Sequence, residues 1–516
     1  LNYNSAKLLI EDLETKIPIN DITFRGRIIW PILKYYLFFN LLKATSSAES
    51  KYEEITRQDP VFTPTFLSKL KFHLSQFISL PKYFFQQRRE IKKLSSLNFH
   101  HDALFLDVTD EEYLDEINGR KYSRYISPYF EFFENQIPVF FISVWPKKTK
   151  FESKVPSSYY FDSSPFISFS RIIDFYRKKI SKTSPSINKL DLVTNIMIER
   201  TNNSILNKEY LIDDLNDIMT YEKLWLKLLL KMKPKVVFME CYFGNINYYG
   251  LLAAAKKLKI KTVDIQHGTS SDQMYVGWQK SPVEGYNYLP DYYWCWSRHD
   301  VDLIKKTRES SKEFIPILGG NLWLYKNVNE RITNKYTDQL TEQLNATKPD
   351  KTILVTLQHS IPISTMLIDA IKKSSLNWQW LIRFHPLDHM DANYRISYIE
   401  ALSDSKNVEF KLTTEANLYA LLKISNYHIT HHSVVAMEAI SFKIPTILLD
   451  NNFESIFDEF IRSKNFFIAQ NSDDLLSKIS EGLTINDKTF DYFKIEHSKE
   501  IAASQLNNLI SETYSL

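Results

Sequence analysis

The sequence predicts an α/β protein made of two doubly wound domains behind a helical N-terminal extension. Three observations carry that expectation. A βαβ pattern opens at Lys235, strand and helix then alternate regularly from Thr352 to Leu449, and 516 residues are enough for two or three separate cores. With 44% hydrophobic and 24% charged residues, the composition is that of a folded chain rather than a disordered one.

Residues 1–100 read as helical, with aromatic and basic stretches at Ile28 to Lys43 and Lys69 to Lys93. The second sets Phe72, Phe77, Tyr83, Phe84 and Phe85 beside Lys82, Arg88, Arg89, Lys92 and Lys93. It reads either as a helix resting on an anionic membrane surface or as an accessory helical pair with a solvated basic face. Pro81 interrupts any single long helix there.

Residues 101–330 form the first expected α/β domain. Short apolar runs at Asp102 to Val108, Pro138 to Trp145, Val236 to Met239, Thr262 to Ile265 and Tyr292 to Trp296 read as buried parallel strands. Tyr248 to Lys257 is the helix of the βαβ unit, and Ser297 three residues before Asp300 has capping-box spacing. Residues 331–350 are polar and read as a linker.

The second domain spans 351–490. Its expected strands are Thr352 to Leu357, Gln379 to Phe384, Val408 to Leu412, Tyr427 to Thr430 and Thr446 to Leu449. Helices fall at Ser364 to Lys373, Ala392 to Ala401, Leu418 to Leu422 and Val434 to Phe442. A closing helix within 491–516 is expected to pack back across the junction.

Several function classes are excluded by composition. Sixty-four basic residues against 61 acidic ones leave a net charge of +3, which gives no field for a nucleic-acid partner. Cys241 and Cys295 lack the spacing of a disulfide framework or a zinc site. There is no Walker loop and no Gly-x-Gly-x-x-Gly fingerprint, so no dinucleotide cofactor is expected. The Asp300-Val301-Asp302 string is a poor metal site, because residues two apart on a helix diverge. No essential metal is expected. The absence of a basic-then-apolar leader and of a run of about 18 apolar residues points to a cytoplasmic protein, with the inner membrane's cytoplasmic face as the alternative location.

Open parallel sheets bind ligands beyond the carboxyl ends of their strands. Four polar clusters fall at such ends: Glu240, the Gln266-His267-Gly268 turn, the Arg383-Phe384-His385-Pro386 turn, and Thr430-His431-His432-Ser433. After the last of these a helix begins, so the N–H groups of Val434 and Val435 can receive a phosphate, with Ser433 adding a hydroxyl and Glu438 reaching a ribose. The plain alternative is Ser433 as an N-cap. Pro386 holds His385 extended, and His385 with Arg383 suits a nucleotide phosphate. Either residue alone is more often structural.

The Arg383-Phe384-His385-Pro386 and His432-Ser433-Val434-Val435 turns, 48 positions apart, resemble the HP and S motifs of bacterial sialyltransferases, polysialyltransferases and capsule Kdo transferases. The CDP-glycerol transferases of teichoic acid synthesis are similar in this region, and Gln266-His267-Gly268 resembles the capsule-polysaccharide biosynthesis proteins. The resemblance covers residues 235–450. It implies a GT-B glycosyltransferase whose two motifs bind the CMP part of a donor. A CMP-linked ulosonic acid is the favoured donor, and the acceptor is a glycan or lipid-linked glycan of a capsule or lipopolysaccharide. Two positions depart from the pattern. His431 or His432 stands where relatives carry a second serine or a glycine, and Lys443 replaces a glycine before Ile444-Pro445, which points to a looser helix-to-strand turn.

Within this reading Glu240 is the catalytic base or nucleophile, and His267 orients the donor or protonates the leaving oxygen. Gly268, and the turn of Gly319, Gly320 and Asn321, line the donor cleft or merely connect elements. Arg383 or His267 holds the donor carboxylate, while Arg120, Lys121 and Tyr125 contact acceptor sugars. Two other functions fit the same cleft: donors with UDP, GDP, dTDP or CDP-glycerol, and a nucleotide-sugar 2-epimerase that needs no acceptor. A third is a binding protein without turnover.

Overall fold

The structure, a computed structural model, describes residues 3–46, 80–93, 101–107, 115–117, 120–134, 139–145, 158–162, 164–180, 186–201, 206–268, 280–308, 313–330, 332, 334–358, 364–385, 392–449, 454–485 and 495–511. Alternation of apolar residues dictates its first sheet. Ala103, Phe105, Val236 and Phe238 face one side, where Phe105 stacks on Phe238 with centroids 4.7 Å apart. Leu104, Leu106, Val237 and Met239 face the other. Strands apolar on both faces must be covered on both, as parallel sheets are.

Seven strands lie in the order Ile315–Leu318, Tyr292–Cys295, Lys261–Ile265, Val236–Glu240, Ala103–Asp107, Val139–Trp145 and Ser158–Asp162, all parallel. The helices Lys208–Met232 and Ile246–Leu258 cover one face together with the N-terminal helices Tyr3–Lys16 and Trp30–Ser46. The short helix Ser127–Phe133 and the closing helix Ser498–Ser511 cover the other through Phe130, Phe133, Ala502, Leu506 and Leu509. The chain thus returns to its first sheet after completing the second. Lys261 Nζ fastens that return by donating to the Leu509 carbonyl at 2.7 Å.

The second sheet has six parallel strands, ordered Val408–Glu409, Trp378–Arg383, Lys351–Thr356, Tyr427–Thr430, Thr446–Leu448 and Phe466–Ile468. Asparagines open many of its helices. Asn334 and Asn417 each accept backbone N–H groups of the first turn, a cap worth about 1 kcal/mol.

Several expectations change. The polar segment 331–350 carries the helix Lys335–Thr347, anchored by buried Leu340. The strand expected at Val408 to Leu412 stops at Glu409, because the Glu409 carboxylate accepts the Leu412 N–H at 2.7 Å and starts the helix Lys411–Glu415. The helix expected at Val434 to Phe442 contracts to Val435–Ile440. Lys443 does take the left-handed conformation, at φ 60°, so the turn is as tight as a glycine would make it. In the basic stretch, residues 80–93 are helical with Pro81 in the first turn, where its missing N–H costs nothing; 69–79 lie outside the described residues. Among the described residues no helix is long and apolar enough to cross a membrane.

Candidate functional site

Each sheet reverses its winding once. In the first, the chain runs outward from Ala103–Asp107, then returns to lay Val236–Glu240 on the opposite flank. In the second, Tyr427–Thr430 returns in the same way beside Lys351–Thr356. A crevice opens beyond the strand ends at such switch points, which is where ligands bind. Asp107 and Glu240 flank the first. Gln358 and the His431 to Ser433 turn flank the second, and Gln358 Oε1 accepts the His432 N–H at 2.7 Å. Asp107 and Gln358 were not singled out from the sequence. The signal was there: each sits at or just past the end of the apolar run that opens its sheet.

Three carboxyl groups gather at the first switch point. The charges of Asp107, Glu240 and Asp264 bear on the Tyr248 phenol, which burial and then those charges push well above its ordinary range. Asp264 is fully buried and accepts the Tyr242 N–H at 3.2 Å. Burial first, and Glu240 as a neighbour, drive its carboxyl well above the usual range. Cys241 follows Glu240 in a left-handed conformation, φ 55°, a strained position for a side-chain-bearing residue. The Asp264 acceptor holds the Tyr242 end of that bend, and so fixes how Glu240 leaves its strand.

His267 lies between two aromatic rings, Tyr125 with centroids 6.0 Å away and Phe243 with centroids 5.9 Å away. Burial pushes its imidazole down to about 4, so it is neutral near pH 7. The Gln266 amide is engaged within the fold. Its Oε1 accepts the Trp296 N–H at 2.7 Å, and its Nε2 donates to the Gly268 carbonyl at 2.9 Å and to Asp300 at 3.2 Å. This buried amide ties two strand ends together. Gly268 has open space where a Cβ would stand.

In the second sheet Arg383 is also a tie rather than an open cation. Its NH1 donates to the carbonyls of Thr413 at 2.9 Å and Ala416 at 2.6 Å, satisfying the end of the Lys411–Glu415 helix. His385 is half-buried just past the Arg383 strand end. Pro386 lies outside the described residues. Ser433 Oγ accepts the Val435 N–H at 3.3 Å, so the capping role exists. Glu438 is buried and accepts the Tyr419 hydroxyl at 2.9 Å. Below the switch point, His428 bridges Thr356 and Thr446 at 2.8 and 3.1 Å, and burial pushes it down to about 3.

One crevice joins the two sheets. Arg124, Tyr125, Tyr129, Ile265, Gln266, Trp296, Asn321, Trp323 and Glu438 line it. It therefore brings together Tyr125, Gln266, Asn321 and Glu438 of the expected site, and adds Arg124. Glu240, His385 and Ser433 are not in its lining. Asn321 caps the helix Leu322–Asn329 by accepting the Leu324 N–H. Gly320, at φ 75°, offers its carbonyl to Tyr129 at 2.6 Å and Trp294 at 3.1 Å, so this turn is a structural corner. The crevice is narrow, with no space wide enough for a water molecule. Arg120 and Lys121 lie on the second strand of a hairpin, paired with Ile117 and Glu116. Among the described residues no group of three or more His, Cys, Asp or Glu forms a metal-ion site.

Two parallel sheets wound in this way, with their strand ends on a shared crevice, define the two-Rossmann GT-B architecture. No protein-family model matches the sequence, and no curated protein does. Similar solved structures include a UDP-N-acetylglucosamine 2-epimerase, at 14% identity over 81% of this chain and 99% of that one, with a TM-score of 0.47. The UDP-GlcNAc 2-epimerase from Neisseria meningitidis bound to UDP-GlcNAc is 14% identical over 79% and 99%, with a TM-score of 0.44. The wall teichoic acid polymerase TagF is 15% identical over 85% and 97%, with a TM-score of 0.41.

Proposed function

We infer that this chain is a glycosyltransferase that moves a sugar from a nucleotide-activated donor, a CMP-linked ulosonic acid, onto a bacterial surface glycan. The observation that carries the reading is the meeting of Gln266 and Tyr125 from the first sheet's side with Glu438 from the second in one crevice. Glu240, His385 and Ser433 lie outside that lining, and their parts in the reading rest on their strand-end positions and on the sequence motifs. His385 and Ser433 hold the donor phosphate, with the Ser433 hydroxyl and the Val434 N–H as donors. Glu438 takes a ribose hydroxyl. Arg383 is engaged by two carbonyls, and Arg124, which lines the crevice, is the guanidinium this reading gives to the donor carboxylate.

In the transfer, Glu240 takes the proton of the acceptor hydroxyl as that oxygen bonds the anomeric carbon. The bond from that carbon to the phosphate oxygen breaks, and CMP leaves with the electron pair. No metal has a part in this scheme, and neutral His267 orients the donor. Arg120, Lys121 and Tyr125 contact the acceptor.

A thermal-shift panel of CMP, CDP, UDP, GDP and dTDP tests the donor, because a ligand that binds only the native state raises the melting temperature. Stabilisation by CMP above the others is expected. A response to UDP or GDP with none to the cytidine nucleotides overturns the CMP assignment, and product formed from donor alone overturns transfer in favour of an isomerase.

A further inference from the structure

A second cavity, sharing no lining residue with the crevice between the sheets, lies between helix 80–93, the helix Ser164–Ile180 and the helix Lys208–Met232. It encloses about 300 Å³. Its walls mix the apolar Ile91, Phe166, Phe169 and Ile173 with the polar Gln87, Ser170 and Thr220, and exposed Arg25, Lys223 and Lys227 also line it. No described lining residue bears a carboxylate. Asn216 in the wall is buried, and its Oδ1 has no hydrogen-bond partner among the described residues. A partly apolar cavity lined by three cations and no described carboxylate matches an amphipathic anion.

The surface beside it has the same character. Helix 80–93 docks through Gln87, which donates to the Pro165 carbonyl at 3.0 Å, and through Phe84 against Phe169. Its outer face leaves Phe85 67% exposed, and the Phe84 ring beside it keeps 40% of its surface exposed while packing on Phe169. Lys82, Arg88, Arg89 and Lys92 are exposed around them, and the helix's one acid, Glu90, is paired with Lys93 at 2.6 Å. Exposed aromatic rings inside a cationic field are unfavourable in water and favourable at an anionic lipid surface.

We propose that this face binds the surface of a membrane rich in anionic phospholipid. Phe84 and Phe85 enter the headgroup boundary, one lipid's chain lies in the cavity, and Arg25, Lys223 and Lys227 meet its phosphate. The proposal stands apart from the donor reading. It is tested by co-sedimentation of the full chain with phosphatidylcholine vesicles, with or without phosphatidylglycerol.

Binding to the anionic vesicles alone, falling with added salt, is expected. Phe85→Ser, the pair Lys223→Glu and Lys227→Glu, and the cavity-filling Ile173→Trp should each weaken it by about tenfold or more. Their melting temperatures and responses to nucleotide should match the parent chain, which separates a lost surface from a lost fold. Equal sedimentation with neutral vesicles, or undiminished binding by any folded variant, overturns the proposal.

Discussion

The Tyr125 ring stands edge-on to the His267 imidazole, with centroids 6.0 Å apart and planes at 88°. The contact shields the imidazole from water on one side, as Phe243 does on another, and burial holds it at about 4. Removing Tyr125 re-admits water, which favours the charged form. In a Tyr125→Ala variant the His267 titration should therefore move up toward its ordinary value, followed by NMR of a histidine-labelled sample. A wild-type His267 that titrates near 6.5 refutes the neutral-imidazole assignment.

Glu240 and Asp264 divide the work of the first switch point. Glu240→Gln keeps the side chain's size and removes its basicity, so transfer should fall by at least about 100-fold while the nucleotide thermal shift stays intact. Asp264 supports the bend after Glu240 by accepting a backbone N–H, and that role survives in Asp264→Asn. Asp264→Ala leaves the Tyr242 N–H buried and unmet, at a cost of about 1–3 kcal/mol. Asp264→Asn should therefore retain most activity where Asp264→Ala loses kcat. Equal loss in both variants would assign the carboxyl group a direct chemical part instead.

The alternation of apolar runs with helices made the central strands legible, because strands buried on both faces are nearly continuous in hydrophobicity. The edge strands Ile315–Leu318 and Phe466–Ile468 escaped, since each is short and Pro316 interrupts the first. Site residues were legible where a polar group followed a strand, as with Glu240 and His267. What the sequence did not reveal was which polar groups are consumed internally. Gln266 and Arg383 each look like open ligand-binding groups, yet they satisfy backbone groups brought near only by the fold. Asp107 reads as the end of a strand until the strand order shows it opposite Glu240 across the switch point.

Lys443 holds φ 60° at the end of the short Val435–Ile440 helix region. A side chain in that conformation costs roughly 1–2 kcal/mol, against roughly 0.5–1 kcal/mol for the extra unfolded-state entropy of glycine. Lys443→Gly should raise stability by up to about 1 kcal/mol in urea denaturation. A lower midpoint for the variant contradicts this.

His428 is fully buried, neutral, and bound to two threonine hydroxyls. Its folded value of about 3 lies below its ordinary 6.5, so between those values the unfolded chain binds the extra proton. Stability is complete above about 6.5, falls as pH drops toward 3, and levels off below. The slope from this one group is up to about 1.4 kcal/mol per pH unit. His428→Asn should remove that increment, so urea titrations at pH 7, 6 and 5 should show a shallower decline than wild type. Identical slopes would mean His428 charges within the fold.

Gly319 and Gly268 are both glycines at turns of the first sheet, and the fold constrains them differently. A Cβ on Gly319 would meet Trp294 at 1.8 Å, inside a cluster where that indole also touches Tyr129, Phe133 and Phe238. The indole cannot retreat, so Gly319→Ala should cost about 3 kcal/mol or more, seen as a lowered melting temperature and altered tryptophan fluorescence. A Cβ on Gly268 meets nothing within 4 Å. Gly268→Ala should leave the melting temperature unchanged, and any loss of transfer it causes must come from a substrate that approaches the backbone there. A Gly268→Ala protein with full transfer and an unchanged KM removes that turn from the donor site.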